Sequence, residues 1–159
     1  MWKLASTLFL AGMASAEARS VCLEDRVGLN AFAWRAFQLE LRKLAPELAV
    51  TSGRCERPAI SLVISAHAPA RYPTALGLAR RAGERVFPEL HVYQEPVRKI
   101  VGQQASAVQL GRALARVAAH ELGHYLLQQT HHEEKGVMRA SFQTAQLASE
   151  DSTPFQAAH

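Results

Sequence analysis

The stretch "SAVQLGRALARVAAHELGHYLLQQ", Ser106 to Gln129, decides how this chain of 159 residues is to be read. Val108, Leu110, Leu114, Val117, Leu122 and Leu126 fall largely at three- and four-residue intervals, which an α-helix gathers into one apolar stripe. Ser106 stands before the stripe as a helix cap, its hydroxyl able to satisfy a backbone N–H that the first turn leaves without a partner. The spacing predicts the strongest helix of the chain over 106–129.

Near its end this helix carries His120, Glu121 and His124 in the pattern HExxH. Residues four apart share a helix face, so the two imidazoles can present nitrogens to a single ion. Glu121 stands one step around, close enough to reach a water on that ion without binding the ion itself. Neutral histidines leave zinc Lewis acidic, the pKa of its water falls toward about 7, and a carboxylate collects the proton. A third protein ligand is needed, for which His131, His132, Glu133, Glu134 and Glu150 are candidates. On a straight helix His131 would lie about 10 Å beyond His124 along the axis, too far to share an ion, so the chain must turn back. Thr130 is β-branched, "THHEEKG" is polar and Gly136 frees the backbone, all of which suit a loop after Gln129. His67 and His91 lie in strand-like stretches without ligand spacing.

Working outward, Glu24 to Leu44 sets Val27, Leu29, Phe32, Trp34, Phe37, Leu39, Leu41 and Leu44 at mixed three- and four-residue intervals, with Pro46 just past the end. "VTSGRCERPA" reads as a loop or weak edge strand, and "AISLVISAH", Ala59 to His67, as a strand buried on both faces. Thr74 to Val86 is helix-like. "LHVYQEPVRKIVG", Leu90 to Gly102, reads as a strand or short hairpin that Pro96 confines in part to a sheet edge. After Met138 there is room for at most a short closing helix. An apolar share of 48% and a charged share of 20% are those of an ordinary folded domain, so disorder is not expected within the body of the chain.

The opening "MWKLASTLFLAGMASAEARS" has Lys3, an apolar run from Leu4 to Met13 and an A-x-A pattern at Ala14-Ser15-Ala16. It reads as a secretory signal, residues 1–16, leaving 17–159 as a single domain. The run is short of the roughly 18–20 apolar residues that span a bilayer, so no stable membrane insertion is expected after signal removal. Cleavage takes one positive charge, Lys3, from a net +4, and the arginines are scattered rather than massed with aromatics, which argues against a nucleic-acid partner. The expected location is secreted or periplasmic. In such an oxidising compartment Cys22 and Cys55 are expected to form a disulfide tying the first helix region to the following strand.

"HELGH" at His120 to His124, with Met138 eighteen residues after the first histidine, resembles the metzincin clan of zinc peptidases, matrixin-like members above all. That clan's signature is HExxHxxGxxH followed by a Met-turn. Leu127 stands where the signature has Gly and Thr130 where it has the third His, so the loop reads as a variant with the helix half a turn longer. The run from the histidines through Gly136-Val137-Met138-Arg139 also resembles a group of small secreted bacterial proteins with HExGHxLL helices, which makes His132 the preferred third ligand and His131 the alternative.

The resemblance implies a zincin-like α+β fold: a small twisted mixed sheet packed on the active-site helix, with an N-terminal helix. It implies Zn2+ held by His120, His124 and His132, Glu121 as general base, and Met138 as a hydrophobic floor beneath the ligands. The implied partner is a peptide or protein substrate, laid along an edge strand near "LHVYQEPV". The expected activity is that of a secreted zinc-dependent endopeptidase. The competing expectation is an exported zinc-binding protein with little or no hydrolytic activity, acting as a binding module.

Overall fold

A computed structural model describes residues 19–53, 55 and 59–156; the signal segment 1–16 lies outside the described residues. The elements run β1 (Arg19–Asp25), α1 (Ala31–Leu44), β2 (Leu48–Ser52), β3 (Ile60–Ser65), β4 (Gly77–Ala82), β5 (Arg85–Tyr93), α2 (Gln94–Val101), α3 (Ala107–Leu126) and α4 (Thr144–Ala148), closed by a 3₁₀ turn at Thr153–Phe155. The strands form one mixed five-stranded sheet in the order β2-β1-β3-β5-β4. All neighbours are parallel except β4, which lies antiparallel along β5. The class is α+β, as expected.

Several elements differ from the sequence reading. The first helix starts at Ala31 rather than Glu24, because the Asp25 carboxylate gathers the N–H groups of Val27, Gly28 and Leu29 into a turn. Asn30 then caps the helix by accepting the Ala33 N–H. The residues just before that turn form β1, an interior strand that the sequence reading does not contain. Thr74–Val86 is no helix: β4 and the start of β5 make a hairpin, turned at Gly83 with φ +57. "LHVYQEPVRKIVG" is the end of β5 followed by α2, with Pro96 near the start of that helix, where its missing N–H costs little. Consequently "LHVYQEPV" is not an edge; β5 lies between β3 and β4, and β4 is the edge strand on that side.

The disulfide joins Cys22 to Cys55, with Cα atoms 5.7 Å apart. It ties β1, not the first helix, to the segment after β2. Closing 33 residues of chain, it stabilises the fold by roughly 3–4 kcal/mol on a loop-entropy basis.

The core forms where one face of the sheet meets α1 and α3. Val21, Leu23, Ile60, Leu62, Ile64, Leu90 and Val92 supply the sheet side, alternating along their strands as the pleat requires. Phe37 and Leu41 of α1 and Leu110, Leu114 and Leu122 of α3 supply the helix side. Val63 is buried too, but outside this cluster. The helices approach closely at Gly111, where a Cβ would collide with the Ala33 carbonyl.

A buried ion pair lies between the helices. Arg116 of α3 is fully buried and donates from Nε to Glu40 of α1 at 2.8 Å, while its other nitrogens donate to the carbonyls of Gln146, Leu147 and Asp151. Its guanidinium lies 4.6 Å from the ring centroid of Phe155, and Ser152 donates to the same Glu40 carboxylate. Every donor direction of the guanidinium but one edge is thus spent on binding the C-terminal segment to α1 and α3. Breaking this buried pair leaves the Glu40 carboxylate with only the exposed Lys43 ammonium, 3.8 Å away, as counter-charge. Arg116→Met is expected to lower unfolding free energy by about 3–5 kcal/mol, against about 1 kcal/mol for Ser152→Ala, both read from denaturant titration.

Candidate metal centre

Helix α3 closes with its capping box at one end, where Ser106 and Gln109 exchange side-chain and backbone bonds, and with a Schellman motif at the other. The Gln129 N–H bonds to the His124 carbonyl and the Gln128 N–H to the Tyr125 carbonyl. The helix therefore ends at Leu126 and is not extended by half a turn. The motif needs one left-handed residue, and Gln128 takes it with φ 48. A non-glycine there costs roughly 1 kcal/mol, and its side chain supplies the compensation. Gln128 Oε1 accepts the Val86 N–H, while Nε2 donates to the carbonyls of Val86 and Tyr125. In this way the helix end is sewn to β5.

The turn brings the chain back across the helix. The Glu133 N–H bonds to the Met138 carbonyl at 2.8 Å, closing the loop. His132, carried on that loop, comes to lie with ring centroids 5.2 Å from His120 and 5.1 Å from His124. One nitrogen from each of His120, His124 and His132 lies within 4.8 Å of the others, so these three residues could hold a metal ion. His131, Glu133, Glu134 and Glu150 are not part of that group. Met138 is buried, with its Sδ against Gly123, between the two helix histidines; a Cβ at position 123 would displace it.

Hydrogen bonding fixes which nitrogens are left to face an ion. His120 Nδ1 lies 2.7 Å from the Val137 carbonyl and His124 Nδ1 lies 2.6 Å from the Gln129 carbonyl. A carbonyl only accepts, so each Nδ1 carries the proton and each Nε2 is left as a bare lone pair. Those two Nε2 atoms stand 3.1 Å apart. With no proton between them they cannot bond to each other, and burial disfavours adding one. Desolvation pulls His120 down to about 4, against the pull of the Val137 carbonyl, and lowers His124 as well. A cation satisfies both lone pairs. Ligands on a tetrahedral zinc with bonds of about 2.0–2.1 Å would sit about 3.3 Å apart, close to the spacing of the helix pair. The donor set fits such an ion, and backbone carbonyls holding the far nitrogens are the usual support for it.

Beside the histidines opens a cavity of about 410 Å³, lined also by Gly77, Ala79, Arg81, Glu121, Ser141 and Phe142. Glu121 is buried, and burial pushes its carboxyl up to about 8, opposed by a hydrogen bond from the Ala79 backbone. Its carboxylate lies so close to β4 that a Cβ on Gly77 would stand 2.6 Å from Oε1. Phe142 packs edge-on to the His120 ring at 5.6 Å between centroids. Gly77, Ala79, Arg81, Gln128 and Phe142 are parts of this site that the sequence reading does not single out. Only a correct placement of the β4/β5 hairpin could have pointed to the first three.

No protein-family model, curated protein or solved structure matches the chain.

The Gln128 side chain bonds to Val86 and Tyr125 rather than to a histidine, yet it sets the turn that aims the Gln129 carbonyl at His124. Gln128→Ala is expected to weaken divalent-ion binding by about ten-fold or more, in the range for outer supports of metal ligands, as read by competition with a chromogenic chelator.

Proposed function

We propose that the protein is an exported zinc-dependent peptidase of zincin type, with His120, His124 and His132 as the zinc ligands and Glu121 as the general base. The observation that carries this reading is the pair of facing Nε2 lone pairs, fixed by backbone carbonyls, in the same cavity as a buried carboxylate. A metal seated only for structure takes four protein ligands as a rule, whereas three ligands and an adjoining cavity suit catalysis. The disulfide fits an oxidising compartment, in keeping with export directed by residues 1–16.

A zinc ion in this place would polarise a carbonyl and bring the pKa of water toward about 7. The chain's own contribution is to hold and move the proton. Glu121 lies where it can take a proton from water and pass it to the departing amine. Gly77 leaves room for its carboxylate and the Ala79 amide orients it. Phe142 and Met138 wall the ligands on their apolar side. An extended peptide would add to the open edge of β4. The Tyr93 N–H bonds to the Leu76 carbonyl, so by alternation Gly77 and Ala79 turn their backbone groups away from β5, toward that edge.

A second reading, a zinc-binding module without hydrolysis, is favoured by the exposure of His132, a ligand on a surface loop that a partner could cover. Elemental analysis and peptide hydrolysis divide the readings. The protein is expected to hold one zinc per chain, lost in His132→Ala and kept in His131→Ala. If zinc reconstitution loads none into wild type, both readings fail. Glu121→Gln is expected to keep zinc and lose hydrolysis by three orders of magnitude or more; wild type that binds zinc and cuts nothing leaves the binding module. Gly77→Ala, whose Cβ would push on the Glu121 side chain and on Val117, should lower kcat with zinc content unchanged.

A further inference from the structure

Gly77, Leu78, Ala79 and Arg81 of β4 all line the cavity beside the histidines, and Gly77, Ala79 and Arg81 stand two residues apart. Alternation along a strand puts these three side chains on one face. The first two have almost no side chain, so the space over Glu121 stays open, and the third is a long cation at the end of that space. Its neighbour Arg80 belongs to the other face and is spent there, bonded at 2.7 Å to Glu89 and placed over the Phe87 ring. Arg81 has no such use. Among the described residues it forms no ion pair and no side-chain hydrogen bond.

The acids that could answer it are engaged elsewhere. Glu121, the carboxylate of the lining, is bonded to the Ala79 backbone and crowded by Gly77. Glu84, in the β4/β5 turn, accepts from the Thr130 hydroxyl at 3.2 Å. Glu89 is taken by Arg80. A guanidinium presents a planar fork of donors that matches a carboxylate two bonds at a time. On an edge strand, it would meet a chain laid along that edge.

We propose that Arg81 selects substrates with a carboxylate close to the scissile bond. The inference rests on the peptidase reading of this cleft, and adds to it a substrate class, acidic peptides. The carboxylate has two possible sources: an Asp or Glu side chain, or the free C-terminus of a short peptide.

The test uses zinc-reconstituted protein and a degenerate set of eight-residue peptides, each made as free acid and as C-terminal amide, with cleavage sites read by mass spectrometry. Single sequences from that set are then assayed in Asp and Asn forms. The expected result is a kcat/KM ratio of about ten or more for the carboxylate form over its amide twin, the strength of a charge-assisted pair. The ratio should fall to near one in Arg81→Ala, be partly kept in Arg81→Lys, and turn toward lysine-containing peptides in Arg81→Glu. Preference for Asp over Asn in both C-terminal forms assigns a side chain; preference confined to free acids assigns the terminus. Equal cutting of both forms by wild type overturns the inference and leaves the peptidase reading standing. A preference that survives in Arg81→Ala also overturns it, because the metal would then be taking the carboxylate. Should wild type cut no peptide, the peptidase reading falls by itself, and Arg81 is read by fluorescence anisotropy with a labelled Asp-containing peptide and its Asn twin. At least ten-fold tighter binding of the acid, abolished by Arg81→Ala, upholds the role of Arg81; equal affinities overturn it.

Discussion

Two backbone carbonyls govern the chemistry of this molecule. Val137 and Gln129 each accept an Nδ1–H from a helix histidine, and so each strips the opposite nitrogen of its proton. The outcome is two lone pairs 3.1 Å apart in a site where burial resists protonation. Such a contact has no favourable resolution among protein groups alone. Either a proton enters at a cost set by desolvation, or a cation enters and is bound by both. The surrounding elements can be understood as the means of delivering those two carbonyls, and His132, to their places.

Delivery begins in the sheet. The β4/β5 register shifts between Ala79 and Arg81, and Val86, past that shift, offers both its backbone groups to the Gln128 amide. Those bonds hold Gln128 in a left-handed conformation that a side chain other than glycine's rarely adopts. Because the residue is left-handed, α3 closes in a Schellman motif rather than running on, and the next carbonyl, that of Gln129, points back at His124. An irregularity in the hairpin and the orientation of a ligand are thus one feature seen at two ends. The loop beyond is held in turn by the Glu133 to Met138 bond, which presents Val137 to His120.

This explains what was legible in the sequence and what was not. Helix α3 announces itself because its apolar stripe is long and its cap is local, and HELGH because ligand spacing on one helix face needs no tertiary knowledge. The disulfide follows from having two cysteines and an opening that reads as an export signal, although its anchor on β1 does not. β1 itself offers only Val21 and Leu23 as buried residues, too few for a period to emerge. Leu76 to Val86 is rich in Leu, Ala, Arg and Glu, good helix formers, and reads as helix until the demand of β5 for a partner and the turn at Gly83 override that preference. With the hairpin hidden, Gly77, Ala79 and Arg81 had no face to share. Gln128 carries no signal at all, since a left-handed glutamine is made by its partners and not by its own preferences. The return of His132 came from resemblance, not from periodicity.

Stability and site are separately maintained in this fold. The disulfide fastens β1 to the segment beyond β2, and Arg116 fastens α1, α3 and the C-terminal segment, all without any group from the histidine cluster. A domain with these two fasteners does not need a metal to hold its elements together, unlike small domains whose folding free energy is metal-binding free energy. The histidine cluster can therefore stay at three residues and open on one side, where a metal that fastened the fold would be enclosed. Gly77 and Ala79 preserve that opening: any larger side chain on the cleft face of β4 would press on Glu121 or fill the cavity. The cost of two facing lone pairs and a buried carboxyl is then borne by packing elsewhere, which is how a cluster able to hold an ion is kept in its geometry.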